Sequence, residues 1–83
     1  MTTTLIWAFH PIIPISKRQD DRIGTIMERF HVDPIEWNEG YRTPSRIGTT
    51  GTRIEFAVPT KDVFRFVAEL RAAGFRAGCG VAP

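Results

Sequence analysis

The chain has 83 residues, of which 42% are hydrophobic and 24% are charged, and its formal net charge is +2. This length suffices for a single domain over residues 1–83, and the composition argues against a disordered tail. The longest apolar run, residues 5–9, is far shorter than the about 20 residues that a membrane-spanning helix needs. No signal-peptide pattern is present, so the expected location is cytoplasmic, with no membrane partner.

Residues suited to metal binding or nucleophilic catalysis are few. The chain has one cysteine, Cys79, and two histidines, His10 and His31. A single cysteine excludes an intrachain disulfide and a metal site made of cysteines alone. The histidines lack both zinc-ligand spacing and the i, i+4 spacing of a helical pair. The sequence therefore predicts no metal, no cofactor and no catalytic residue.

The first predicted strand covers residues 3–10, which are rich in β-branched and aromatic residues. Both of its faces are apolar, which is typical of a central strand, and Pro11 ends it. We expect one set of alternate residues to face the helices: Leu5, Trp7 and Phe9. The other set is expected on the opposite side of the sheet: Ile6, Ala8 and His10.

A helix is predicted over residues 17–31, because Ser16 and Gln19 form a capping-box pattern and an apolar stripe follows. The segment 35–41 alternates poorly and is predicted to be an edge strand. The polar stretch 42–51, which contains proline and glycine, predicts a long hairpin loop.

Residues 52–58 alternate cleanly and predict a half-buried third strand. Thr60 is expected to cap a second helix, which Gly74 ends. The last predicted strand, 75–81, places Cys79 among core-facing residues, where a cysteine is typically a small buried residue.

This order predicts an α+β fold, the ferredoxin-like β-α-β-β-α-β sandwich. Right-handed crossovers place both helices on one face of a four-stranded antiparallel sheet, with the first and third strands at its centre. The other face is left without helices. We expect it to be smooth and edged by charged side chains, and its predicted members are Ile6, Ala8, His10, Arg53, Glu55, Ala57, Arg76, Gly78 and Gly80.

RNA-recognition modules share this layout and carry aromatic side chains among basic ones on the open face. The third strand here lacks the Lys/Arg-Gly-aromatic run of those modules, and Phe56 alternates with the core set. A reversed first strand would place Trp7 and Phe9 on the open face, but without aromatic partners on the third strand.

The residues predicted to contact a partner fall into three groups. Four arginines of the more basic C-terminal half suit phosphates or acidic groups: Arg42, Arg46, Arg53 and Arg76. Trp37 and Tyr41 lie in an irregular segment, where aromatic residues are enriched in interface hot spots, although Trp37 would equally close the core. His10 ends the first strand at the margin of the open face.

We expect a non-enzymatic binding or regulatory module that acts through protein contacts, with a partner protein or with a second copy as a homodimer. Its size, and its size alone, is that of phage or mobile-element accessory inhibitors such as anti-CRISPR proteins. The alternative is a nucleic-acid-binding protein that uses the arginine-bearing loop and sheet face. A third possibility is a small ferredoxin-like nuclease or hydrolase that uses His10.

Overall fold

The computed structural model describes residues 2–44 and 48–80. Its elements in chain order are β1 (Thr3–His10), α1 (Lys17–Phe30), β2 (Pro34–Arg42), β3 (Thr50–Pro59), a 3-10 turn (Thr60–Asp62), α2 (Val63–Ala72) and β4 (Arg76–Cys79). The strands form one antiparallel sheet in the order β2-β3-β1-β4. The predicted α+β fold with a ferredoxin-like layout is confirmed. Among the described residues, neither helix has the length and apolar character needed to cross a membrane.

The helix ends follow from local chemistry. The Ser16 hydroxyl accepts a hydrogen bond from the Gln19 backbone N–H at 3.3 Å, so the predicted cap of α1 is confirmed. Gly74 has φ +93° and follows Ala73, the C-cap residue of α2, as predicted for a glycine that ends the helix. Thr60 does not cap α2: its hydroxyl bonds to that of Thr4 at 2.9 Å, and a 3-10 turn precedes the helix.

The core lies between the sheet and the two helices. Its fully buried large side chains lie on α1, α2 and the helix-facing side of the sheet: Ile6, Ile23, Ile54, Phe56, Val58, Phe66 and Leu70. Two alanines, Ala8 and Ala77, face each other across β1 and β4 on this side. Trp37 of β2 packs against the edge of the same core.

The predicted orientation of β1 is wrong. Ile6 and Ala8 are fully buried in the core, whereas Leu5 is 51% exposed. Directly paired side chains on adjacent strands share a face, and Ile6 pairs with Phe56 while Ala8 pairs with Ile54. Because both faces of β1 are apolar, its composition does not choose between them, and the register with β3 decides.

Cys79 is also placed differently from the prediction. It pairs with Ile6 and therefore has the expected helix-facing orientation. However, it lies at the end of the short strand β4, which is an edge of the sheet, and it is exposed beside an open groove next to α2. It is not a buried core residue.

Candidate functional site

The sheet side opposite the helices, called the open face below, is the main candidate for a functional surface. β1 and β3 provide its centre, and β2 and β4 its two margins. Pairing across the strands places these side chains on it: Leu5, Trp7, Phe9, Glu36, Asn38, Arg53, Glu55, Ala57, Arg76 and Gly78. Tyr41 joins them through its contact with Phe9.

Trp7 occupies the centre of the open face. It pairs with Glu55 on one side and Gly78 on the other. A Cβ atom at Gly78 would lie 3.1 Å from Cζ2 of the indole, so the ring lies directly against the glycine backbone. The indole Nε1 is buried and has no hydrogen-bond partner. Trp7 is therefore held by packing, with part of its ring exposed beside the exposed Leu5.

A cluster of aromatic rings and arginines fills the end of the face next to Trp7. The rings of Phe9 and Tyr41 meet edge to face with centroids 6.2 Å apart. The guanidinium carbon of Arg53 lies 5.3 Å from the Tyr41 ring centroid, and that of Arg76 lies 6.0 Å from the Phe9 centroid. Phe9 is only 1% exposed as a result. Its ring supports the surface but is not available to stack on a ligand.

Arg53 is largely an internal support. Its side chain is 11% exposed, its Nη1 lies 3.4 Å from Oε2 of Glu55, and its Nε is buried without a partner. The guanidinium therefore fixes the positions of Tyr41 and Glu55 rather than extending into solvent. Arg76 differs, because it is exposed on the strand at the margin.

Charge on the open face is mixed and divided between its two sides. Glu36 and Glu55 pair with each other across β2 and β3, on one side. Arg76 lies on β4, at the other side, and Arg53 is offset by its contact with Glu55. The exposed apolar side chains of Leu5 and Trp7 lie between these regions.

The structure brings together three of the predicted partner-binding residues, Arg53, Arg76 and Tyr41, through their shared contacts with Phe9 and each other. Trp37 does not join them, because it lies on the helix side of the sheet against the core.

The predicted position of His10 on the open face is wrong. Its Nε2 is hydrogen-bonded to the side-chain amide of Gln19 on α1, and its ring meets Phe75 edge to face at 5.5 Å. His10 therefore points to the helix side, which follows from the corrected orientation of β1. Its Nδ1 is buried without a partner.

The predicted arginine loop is described only in part, because Arg46 lies outside the described residues. The loop is closed by Thr43, whose N–H donates to the Thr49 carbonyl at 2.9 Å and whose hydroxyl accepts from the Thr49 N–H at 2.8 Å. The Arg42 side chain lies over Gly48, where a Cβ would be 2.7 Å from its Nε. Arg42 is thus apart from the aromatic cluster.

Sequence reasoning did not select Leu5, Trp7 and Glu36 as site residues. Leu5 and Trp7 look like core residues in an apolar strand. The one local signal that distinguishes them is Gly78, since a strand residue without a side chain leaves room for a large neighbour. That signal is informative only once Trp7 is known to pair with Gly78, which the sequence alone does not show.

A second exposed apolar feature lies between α2 and the β4 edge of the sheet. Phe64 of α2 is 88% exposed and borders a groove that Val67, Ala68 and Cys79 also line. The neighbouring edge of β4 is covered, since Nε and Nη2 of Arg71 donate to the Ala77 carbonyl at 3.1 and 2.8 Å. Within residues 2–44 and 48–80, no three His, Cys, Asp or Glu side chains group as metal ligands would.

No family model matches this chain, and neither the curated proteins nor the solved structures contain a match to it.

Proposed function

We propose that this chain is a binding module whose open face contacts another protein. The observation that carries the proposal is the exposure of Leu5, at 51%, beside the partly exposed indole of Trp7 on a sheet face without helices. Large apolar and aromatic side chains at the centre of a surface, with polar residues around them, are typical of protein interfaces.

Preorganisation of the surface supports the same function. Trp7 is held against Gly78, and Tyr41 is held between Phe9 and Arg53. Side chains that are already fixed lose little conformational freedom when a partner binds. The face therefore has the rigid aromatic anchors that a small binding module needs.

The charge distribution favours a protein over a nucleic acid. Binding to phosphates requires an excess of accessible positive charge, whereas Glu36 and Glu55 lie on this face and Arg53 is paired with one of them. Phe9, the aromatic residue nearest to Trp7 along β1, is only 1% exposed and is not available for stacking on a base. A mixed surface of this kind suits a partner with both apolar and charged groups.

The test is a pull-down with the immobilised chain from a nuclease-treated lysate of the source cell, quantified by mass spectrometry. Leu5→Lys places a charge at the centre of the open face, while the matched control Phe64→Lys places one on the exposed apolar side chain of α2. We expect proteins that the wild-type chain and Phe64→Lys retain to be lost with Leu5→Lys. Retention of the same proteins by Leu5→Lys, with its fold intact by circular dichroism, would contradict the proposal.

Nucleic-acid binding is the second candidate, and the position of Trp7 favours it. The exposed part of the indole lies on the open face with Tyr41 and Arg76 at the same end, and base stacking on aromatic rings supports single-strand binding. Titration with a single-stranded oligonucleotide should then quench tryptophan emission with an affinity that falls steeply with salt. No quenching at low salt would exclude this candidate.

The finer expectations stay predictions. They are an inhibitory role of the phage or mobile-element kind and a cytoplasmic location. The nuclease or hydrolase alternative receives no support from the contacts of His10, which are an amide and a phenyl ring. An inhibitor of this kind would act by covering a surface of its target with the open face.

A further inference from the structure

We propose that the open face binds the open face of a second copy of this chain, with the two-fold axis parallel to the strands. This inference rests on the proposed function and assigns its partner. In a two-fold interface the same surface must complement itself. The register of the four strands gives the relative position of each side chain on the face, and hence the residue that it would meet in a second copy.

The side chains of the open face form rows that run across the sheet. One row contains Asn38, Arg53, Phe9 and Arg76, in the order β2-β3-β1-β4. The next contains Glu36, Glu55, Trp7 and Gly78, the third contains Ala57 and Leu5, and the fourth contains Pro59 and Thr3. In the two rows that span all four strands, the β2 residues are polar or acidic (Asn38 and Glu36), and the β4 residues are basic or without a side chain (Arg76 and Gly78).

An axis parallel to the strands, midway between β3 and β1, keeps each row at its own height and reverses its order. β3 of one copy then lies over β1 of the other, and β2 lies over β4. Stacked sheets lie about 10 Å apart and align within about 30°, so these opposite positions are in contact distance near the axis.

The apolar residues meet at the centre of this arrangement. Leu5 of each copy lies next to Leu5 of the other and opposite Ala57, so the 51% exposed leucine is covered. Glu55, which its own Arg53 already neutralises, lies over Trp7 of the other copy.

The charges also become complementary. Arg76 lies opposite Asn38 of the other copy, and Glu36 is two residues further along the same strand, about 7 Å away and within reach of an arginine side chain. An axis in the sheet plane but perpendicular to the strands would instead stack each strand on its own copy, so the acidic margin at Glu36 would face itself and the basic margin at Arg76 would face itself. The strand-parallel axis is therefore the one that charge favours.

A dimer formed by pairing the β4 edges of two sheets is opposed by the hydrogen bonding of that edge. The Ala77 carbonyl on that edge is already engaged by two hydrogen bonds from Arg71. The β2 edge is interrupted by register shifts at Pro34/Glu36 and Glu39/Tyr41, and such bulges oppose pairing with another strand. Face-to-face contact uses neither edge.

The size of the face is that of a weak or transient interface. Two rows across four strands and two rows across β3 and β1 offer roughly 400 Å² per copy, against about 800 Å² per partner in a standard interface. We therefore expect a weak dimer, with a dissociation constant between about 10 μM and 1 mM.

Sedimentation equilibrium on the full chain tests the assembly, over concentrations from about 10 μM to about 2 mM so as to bracket that dissociation constant. The expected result is a concentration-dependent shift from monomer to dimer mass, lost in Leu5→Lys and kept in Phe64→Lys. A monomer at every concentration would overturn this inference. It would leave the proposed function intact, because capture of a different protein that Leu5→Lys abolishes is measured separately.

A charge exchange tests the direction of the axis. Arg76→Glu or Glu36→Lys alone replaces two symmetric attractions by two repulsions, so each should weaken the dimer at least about tenfold. The double variant should recover the dimer. So should an equimolar mixture of the two single variants, since each supplies the charge that the other lacks.

The matched controls are Arg18→Glu and Glu28→Lys, exposed changes on α1 that should leave the dimer unchanged. The arrangement would be overturned if Arg76→Glu and Glu36→Lys left the dissociation constant of the dimer unchanged. It would also be overturned if neither the double variant nor the mixture recovered the dimer. A mass increase that appears only when an oligonucleotide is added would assign the face to nucleic acid and overturn it as well.

Discussion

The indole of Trp7 on β1 lies against the backbone of Gly78 on β4, with Cζ2, Cε2 and Nε1 3.1–3.6 Å from where a Cβ of residue 78 would be. This contact determines how far the indole projects from the open face. Without a side chain on β4, the largest residue of β1 lies close to the sheet rather than projecting from it. The face stays level enough for another surface to pack on it.

Gly78→Val should displace this indole. The added side chain occupies the space of the ring, and overpacking of this kind costs about 1–3 kcal/mol of stability. The measurement is urea unfolding together with the emission maximum of Trp7 in a Trp37→Phe background, where a shift to longer wavelength is expected. Gly78→Ala, which adds one methyl 3.1 Å from Cζ2, should give a smaller shift in the same direction. Unchanged emission for the valine variant would show that the ring does not lie on Gly78.

Gly51 should tolerate no side chain. A Cβ there would lie 2.2 Å from the His10 carbonyl oxygen and 2.7 Å from Cζ of Phe9. Because the first of these is backbone, relief requires β1 and β3 to separate, and Gly51→Ala should lower the free energy of unfolding by at least about 3 kcal/mol. Chemical denaturation of Gly51→Ala and of the wild-type chain measures this loss in the free energy of unfolding. A loss below about 1 kcal/mol would contradict this close approach of the strands.

Gly24 should behave in the opposite way. It lies inside α1, and a Cβ at this position meets nothing within 4 Å. Gly24→Ala should therefore raise the free energy of unfolding by about 0.5–1 kcal/mol, because alanine loses less backbone entropy in a helix. Thermal and urea unfolding should both show the gain. Destabilisation would mean that another group occupies this side of the helix.

The orientation of β1 is tested by two neighbouring residues. Ile6 is fully buried and Leu5 is 51% exposed. Ile6→Ala should cost about 2–5 kcal/mol, since it leaves a cavity in the core, whereas Leu5→Ala should cost less than about 1 kcal/mol. Equilibrium unfolding of the two variants gives the comparison. A larger loss of stability for Leu5→Ala than for Ile6→Ala would mean that Leu5 faces the helices, as expected from the sequence.

Several features are determined locally by the sequence. The cap at Ser16 and the glycine after α2 at Gly74 are determined within a few residues, because hydrogen bonds and backbone angles there involve only neighbours. The clean alternation of Ile54, Phe56 and Val58 likewise determines which side of β3 is buried. These local signals were enough to predict the order of elements, and the right-handed crossover rule then gave the sheet topology.

The tertiary structure alone decided which side of β1 faces the helices. Alternation carries no information where both sides are apolar, and the choice came from pairing with β3, a contact between residues 42 to 56 positions apart in the chain. His10, Trp7 and Leu5 changed sides together, because a strand turns all its side chains at once. The open face therefore exposes Leu5 and part of Trp7 rather than small residues, for a reason that lies in the register of the sheet.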